Sequence, residues 1–204
     1  MLKNQILEVI KERRTMRQFN RFQEVDPKAI ERITEAAIWA PLSIYQLQEW
    51  KFFVCQGAAR DQAINIILED PTVLKYTRIM YEKEAWGPKD TFIEKGIEFG
   101  MDLGGAPLVI IAVVKTDPNK HHMRHNLGAV WCAAQNMMLQ VQADRLDSGL
   151  VTFISQKMEA HLIKFFGLDP DKWQPAYALN IGEGQQDIPP IERKKDSVVF
   201  FKNK

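Results

Sequence analysis

The chain has 204 residues, 46% of them hydrophobic and 26% charged, which is a globular composition and excludes a disordered chain. Its 27 Lys and Arg nearly balance 26 Asp and Glu, which argues against bulk binding to nucleic acid or a membrane surface, so any anion site must be local. No apolar run approaches the ~18–20 residues that cross a bilayer.

The opening stretch MLKNQILEVIKERR carries Lys3 and Glu8 and has no cleavage site after an apolar run, so it does not read as a signal peptide. Its Leu2, Ile6, Val9 and Ile10 share one helical face. That helix is expected to end near ERRTMRQF, where Arg13, Arg14 and Arg17 crowd together. Asp26 as N-cap and Pro27 at the first helical position start a second helix, which Pro41 stops. WKFFVC, Trp50 to Cys55, reads as a strand, followed by a helix from Ala58 to about Leu68. Residues 71–100 are an excursion with scattered aromatics, which either line a lid over a substrate or pack beneath it.

PLVIIAVV, Pro107 to Val114, is unbroken and apolar, as a central strand covered on both faces should be. The longest helix is expected from Asn126 to about Leu146, with Gly149 just past its end. Its first half is small or apolar almost all round, so it is buried in the core or against another subunit. Gly128, Ala129, Ala133 and Ala134 would allow close helix approach. GLVTFIS reads as a strand or extended loop, KMEAHLIKFFG as a helix closed by Gly167, and AYALNIG as a strand. The tail carries a second basic cluster, Arg193 to Lys195, and ends in the apolar run SVVFF. Two helices precede any strand, so strict βαβ alternation is missing. The pattern predicts one α+β domain over 1–204, a mixed, mainly antiparallel sheet with helices on both faces.

Cys55 and Cys132 lie far apart in apolar contexts without metal or CxxC spacing and read as reduced, buried thiols of a cytoplasmic protein. His122 and His125 in HHMRH could seat a metal, but no acid or cysteine accompanies them at useful spacing, so a solvated helix start is expected and no metal centre is assigned. GEGQQD lacks the third glycine of a dinucleotide turn, and the prolines after it forbid the helix that would receive a pyrophosphate.

The order of these features resembles the nitroreductase family of FMN-dependent flavoproteins over nearly the whole chain, excepting 71–100. RRTMR resembles the family's RRSxR. The resemblance implies phosphate and ribityl contacts at Arg13, Thr15 and Arg17, with Arg14 beside the flavin ring. Arginine's planar fork suits phosphate oxygens; the simpler alternative is cations complementing a helix C-terminus. APLSIYQLQEW resembles the APS…NxQPW loop, with Gln46 in the asparagine position, Gln48 and Trp50 matching, and Glu49 in place of proline. SGLVTFI resembles GLGSxWI, which implies that the backbone of Val151 and Thr152 lies near flavin N5, with Val151 replacing a glycine. Arg193 and Lys195 match the second phosphate-binding cluster. The implied fold is a three-layer sandwich, homodimeric, with FMN at the subunit interface, 71–100 as a lid and 188–204 as a tail embracing the partner.

The resemblance further implies that NAD(P)H delivers a hydride to the flavin, leaves, and is replaced by a small organic acceptor such as a nitroaromatic or quinone, in ping-pong order. Arg14 or a basic tail residue would stabilise negative charge near flavin N1. The alternative class is a binding module that has lost its flavin and holds another anion or a protein partner.

Overall fold

The computed structural model describes residues 2–42, 48–70, 78, 79, 82, 96, 99–153 and 155–201. The expected contact Gln46, the expected lid aromatic Trp86, and most of 71–100 lie outside the described residues. Two helices come first, α1 (Leu2–Glu12) and α2 (Pro27–Ile38), as the sequence predicts. Asp26 caps α2 by accepting from the Lys28 N–H, with Pro27 in the first turn. Next come β1 (Trp50–Gln56), α3 (Gly57–Leu68), β2 (Leu108–Lys115), α4 (Lys120–Ala143), β3 (Asp147–Val151), α5 (Gln156–Phe165) and β4 (Trp173–Gly182).

The strands form one sheet in the order β1-β2-β4-β3, and every pair among them is antiparallel. Among the described residues, the expected mixed character survives only as a single parallel bridge between Thr15 and Ser148 at the β3 edge. Alternate residues of β2 point to opposite faces. Leu108, Ile110, Ala112 and Val114 join α2 and α4 in one core, while Val109, Ile111 and Val113 join α3 and α5 in the other. The result is three layers with β2 in the middle of the sheet and buried on both faces, which is why its sequence does not alternate.

Two expected boundaries move. α4 begins at Lys120, six residues earlier than Asn126, because the Asn119 side chain caps it by accepting from the His121 N–H at 2.9 Å. It ends at Ala143, short of the expected end at about Leu146, and Arg145 then takes a left-handed φ of 58°. There the Arg145 and Leu146 N–H groups bond back to the carbonyls of Gln142 and Val141. Gly149 lies inside β3 instead. The Gly167 stop after α5 is as predicted, with φ 70°.

Cys55 is buried, and burial pushes its thiol up to about 11, so it is inert near neutral pH. Cys132, expected to be buried, is exposed on α4. Ala129, Ala133 and Ala134 are spent inside the chain's own core, whereas Gly128, Trp131 and Cys132 face outward. The tail holds a short 3-10 turn at Lys195–Ser197 and then no strand, with Val198 to Phe201 exposed.

Candidate functional site

On leaving α1, the basic segment runs along the outer edge of β3. The Met16 N–H donates to the Ser148 carbonyl at 2.8 Å, and the Phe19 N–H to the Gly104 carbonyl at 2.8 Å. Glycines make this approach possible. A Cβ on Gly149 would collide with the Met16 carbonyl, and one on Gly104 with the Arg17 carbonyl. Gly104 also has φ 84°, which other residues adopt only with strain. Met16 and Phe19 are buried and anchor the segment from below, so it is a fixed rail and not a frayed helix end.

The chain's other end zips onto this rail. The Asn20 N–H donates to the Glu183 carbonyl (2.9 Å), the Gln185 N–H to the Gln18 carbonyl (2.9 Å), and the Arg17 N–H to Gln186 Oε1 (2.8 Å). Arg14 Nε donates to the Ile188 carbonyl at 3.1 Å. These bonds carry the tail back across the basic triplet and bring Arg193 toward Arg13.

The three arginines divide their work. Arg14 Nη1 donates to the carbonyls of Lys11 (2.6 Å), Glu12 (2.9 Å) and Arg13 (3.1 Å), satisfying the open C-terminus of α1. Helix capping is therefore real, and one residue does it. Arg13 donates only a long bond, 3.3 Å, to the Arg14 carbonyl, and Arg17 one of 3.5 Å to the Thr15 carbonyl. Among the described residues, no carboxylate pairs with Arg13, Arg17 or Arg193. Burial holds the Arg13 guanidinium below its ordinary pKa, with the charges of Arg193 and Arg14 adding to the effect. Burial likewise lowers Arg17. Partly desolvated cations crowded together without a counter-ion are costly unless an anion joins them. Ser148 Oγ, beside the rail, is buried with no hydrogen-bond partner.

The other expected contacts fall into two places. Val151 ends β3, three residues beyond Ser148 along the same edge, and Thr152 follows it, exposed. The edge thus leads from the basic rail to the Val151–Thr152 backbone. Gln48 is exposed and precedes β1, the opposite edge strand. Register places Ser148 level with Ile181, Leu108 and Gln56, whereas Trp50 lies at the far end of β1. Gln48 and the rail therefore occupy opposite corners of one sheet, separated by about 20 Å along the strands and about 14 Å across them. Lys195 begins the 3-10 turn two residues after Arg193, and its side chain lies outside the described residues.

Sequence reasoning missed Gln186, Gly104, Ser148 and the Ile188 carbonyl as parts of this site. No motif marks them; only the tertiary fold brings them to the rail. It also missed Asp70, buried at 4% exposure, whose Oδ2 accepts from the Ser155 N–H at 3.0 Å and so braces the segment after Thr152.

The fold has close relatives among solved structures. A nitroreductase with bound FMN from Desulfitobacterium hafniense DCB-2 superposes with a TM-score of 0.72 at 20% identity, covering 98% of this chain and 99% of that one. An FMN-dependent nitroreductase from Clostridium difficile R20291 gives 0.69 at 18% identity, covering 97% and 99%. A nitroreductase-like family protein from Bacillus cereus gives 0.72 at 17% identity, covering 97% and 96%. No protein with a curated function matches the sequence. The sequence profile of the Nitroreductase family matches residues 10–183, from the end of α1 to the end of β4, and the chain belongs to that family.

Proposed function

We propose that the protein is an FMN-dependent oxidoreductase that passes electrons from NAD(P)H to a small organic acceptor, such as a nitroaromatic or quinone, in ping-pong order. The observation that carries this reading is that Arg13 and Arg17, half-buried on a rail fixed by glycines, have no carboxylate partner among the described residues, and that the tail brings Arg193 close enough to Arg13 to oppose its charge. These residues fit a phosphate. The FMN in the Desulfitobacterium relative's structure supports the choice of anion.

In this assignment Arg13, Arg17, Arg193 and Lys195 hold the phosphate, and Thr15 holds the ribityl chain. Arg14 keeps the end of α1 and the tail in place. The edge of β3 offers the backbone of Val151 and Thr152 to the ring. Bound FMN would supply the hydride chemistry, which explains why no catalytic nucleophile, acid or base announces itself in the sequence. The residues 71–100 would cover the substrate side and set acceptor choice.

A second copy of the chain completes the site. Within one chain, Gln48 and the basic rail belong to opposite corners of the sheet, too far apart to hold one flavin together. An antiparallel partner would bring its loop to this chain's rail. The exposed apolar surface supports pairing: Ile6, Ile10, Ile38 and Trp39 line the α1–α2 side, and Trp131 lies on α4. A groove of about 430 Å³ runs between α1, α2 and α4.

The test is direct. Purified protein, or apo-protein given FMN, should be yellow and should oxidise NAD(P)H when a quinone or nitroaromatic is supplied. Colourless protein that does not take up FMN overturns the assignment and leaves an anion-binding module.

A further inference from the structure

The proposed flavin chemistry makes no use of the histidine cluster at the start of α4. Because Asn119 starts that helix at Lys120, His121 and His125 fall one turn apart on its exposed side. Their rings meet edge to face, with centroids 4.5 Å apart, and their Nε2 atoms stand 3.1 Å from each other. His122 turns away and pairs through Nδ1 with Asp117 Oδ2 at 3.3 Å.

We propose that His121 and His125 form a chelating pair for a divalent transition-metal ion, zinc or nickel, bound through both Nε2 atoms. Two nitrogens each about 2.05 Å from such an ion, and as far apart as these two, would subtend an angle of roughly 100° at the metal, between the octahedral and tetrahedral values. The helix therefore already holds the two donors at a chelating distance, and an ion would displace the proton that one Nε2 donates to the other in the free pair. Both rings are exposed, so an ion can enter without opening the fold. No third histidine, cysteine or carboxylate joins them among the described residues, so water fills the remaining positions. The neighbouring cations Lys120 and Arg124, and the positive end of the helix dipole, oppose the ion. The site is accordingly a weak, exchangeable one and not a structural centre. Its physical effect is to tie residues of successive turns together and so stiffen the first turns of the longest helix.

Calorimetric titration of the untagged full chain with Zn²⁺ and with Ni²⁺ tests this. The wild type should bind one ion per chain. His121→Ala and His125→Ala should each weaken that binding at least tenfold, while His122→Ala should leave it within about twofold. Thermal unfolding supplies a second readout: excess Zn²⁺ should raise the transition of the wild type and of His122→Ala, and not of the other two variants. Equal binding by all three variants, loss in His122→Ala alone, or no saturable binding by the wild type overturns the proposal. All three side chains are at least partly exposed, so the variants should fold, and the flavin content of each reports on that independently.

Discussion

Arg13 and Arg193 come from opposite ends of the chain, and the fold sets them close enough that each opposes the other's charge, with no carboxylate between them among the described residues. A contact between like charges persists only where something else fixes the backbone. Here the hydrogen bonds that join Arg14, Arg17, Gln18 and Asn20 to Ile188, Gln186, Gln185 and Glu183 do so.

The two readings of this contact predict opposite signs. If it is a phosphate site, Arg13→Ala or Arg17→Ala should weaken FMN binding by roughly 1.5–3 kcal/mol, about tenfold or more, while leaving the apo-protein as stable or slightly more so. If the arginines only supported the helix end, the apo-protein would melt lower and its flavin affinity would not move. Fluorescence titration with FMN and thermal melts of the same variants separate these outcomes. Lysine should substitute poorly where the contact is bidentate.

The rail depends on missing side chains. Gly149→Ala places a methyl against the Met16 carbonyl, and Gly104→Ala places one against the Arg17 carbonyl, at a φ of 84°. Backbone must move in both cases, so each should cost roughly 1–3 kcal/mol and displace the arginines. Around Gly184 the nearest atoms are side-chain ones, the Met16 methyl, which can swing aside, and the Asp147 carboxylate, which would give up the bond it accepts from the Gly184 N–H. Chemical denaturation should therefore rank Gly184→Ala as the mildest of the three, and FMN affinity should follow the same order.

How much of this was legible in the sequence depends on the range of the interaction responsible. β2 announced itself because burial on both faces removes every polar residue from it except Lys115 at its exposed end. The start of α2 was local chemistry, Asp26 and Pro27. The start of α4 was also local, but a run of histidines and charges hid the Asn119 cap. Its end was harder, because Arg145 takes a conformation for which glycine is the usual signal, and Gly149 drew attention for the wrong reason. The basic triplet stood out by composition. The division of labour within it did not, since Arg14's partners are carbonyls whose positions only the folded chain sets. The tail's apolar run suggested a strand, but its described residues, 198–201, join neither edge of the sheet.

A half-buried carboxyl group on α5 offers a pH test. Burial raises the Glu159 carboxyl above its ordinary pKa, and Asp70 adds to the shift. A carboxyl with a raised folded-state pKa favours the fold when protonated. Its contribution is fully present below the unfolded pKa, about 4.3, and is lost as pH rises through the folded value. Glu159→Gln should therefore raise the melting temperature at neutral pH and lose that advantage below about pH 4. Solvent screening of this partly exposed group keeps the gain under about 1 kcal/mol, roughly 2–4 °C at most. A gain that is the same at both pH values would mean that ionisation of Glu159 is not its source.

The tail decides whether the site is shared. Val198, Val199, Phe200 and Phe201 stand free of their own subunit, with the two phenylalanines 86% and 87% exposed. Four consecutive exposed apolar residues invite a partner or aggregation. A second copy gains about 1.5–3 kcal/mol for each ring it covers completely. Because the tail passes Arg193 on its way, the same segment that would clasp the partner also helps form the phosphate site. Removing residues 197–204 leaves the rail, Arg193 and both cores in place. Such a chain should fold with its helical content intact and yet lose dimer stability and FMN together, the second through the first. Sedimentation at falling concentration, with absorbance of the flavin followed in parallel, measures both. A shortened chain that remains dimeric at low concentration and stays yellow would place the clasp elsewhere, on the α1–α2 face, where Ile6 and Trp39 are the residues to change next.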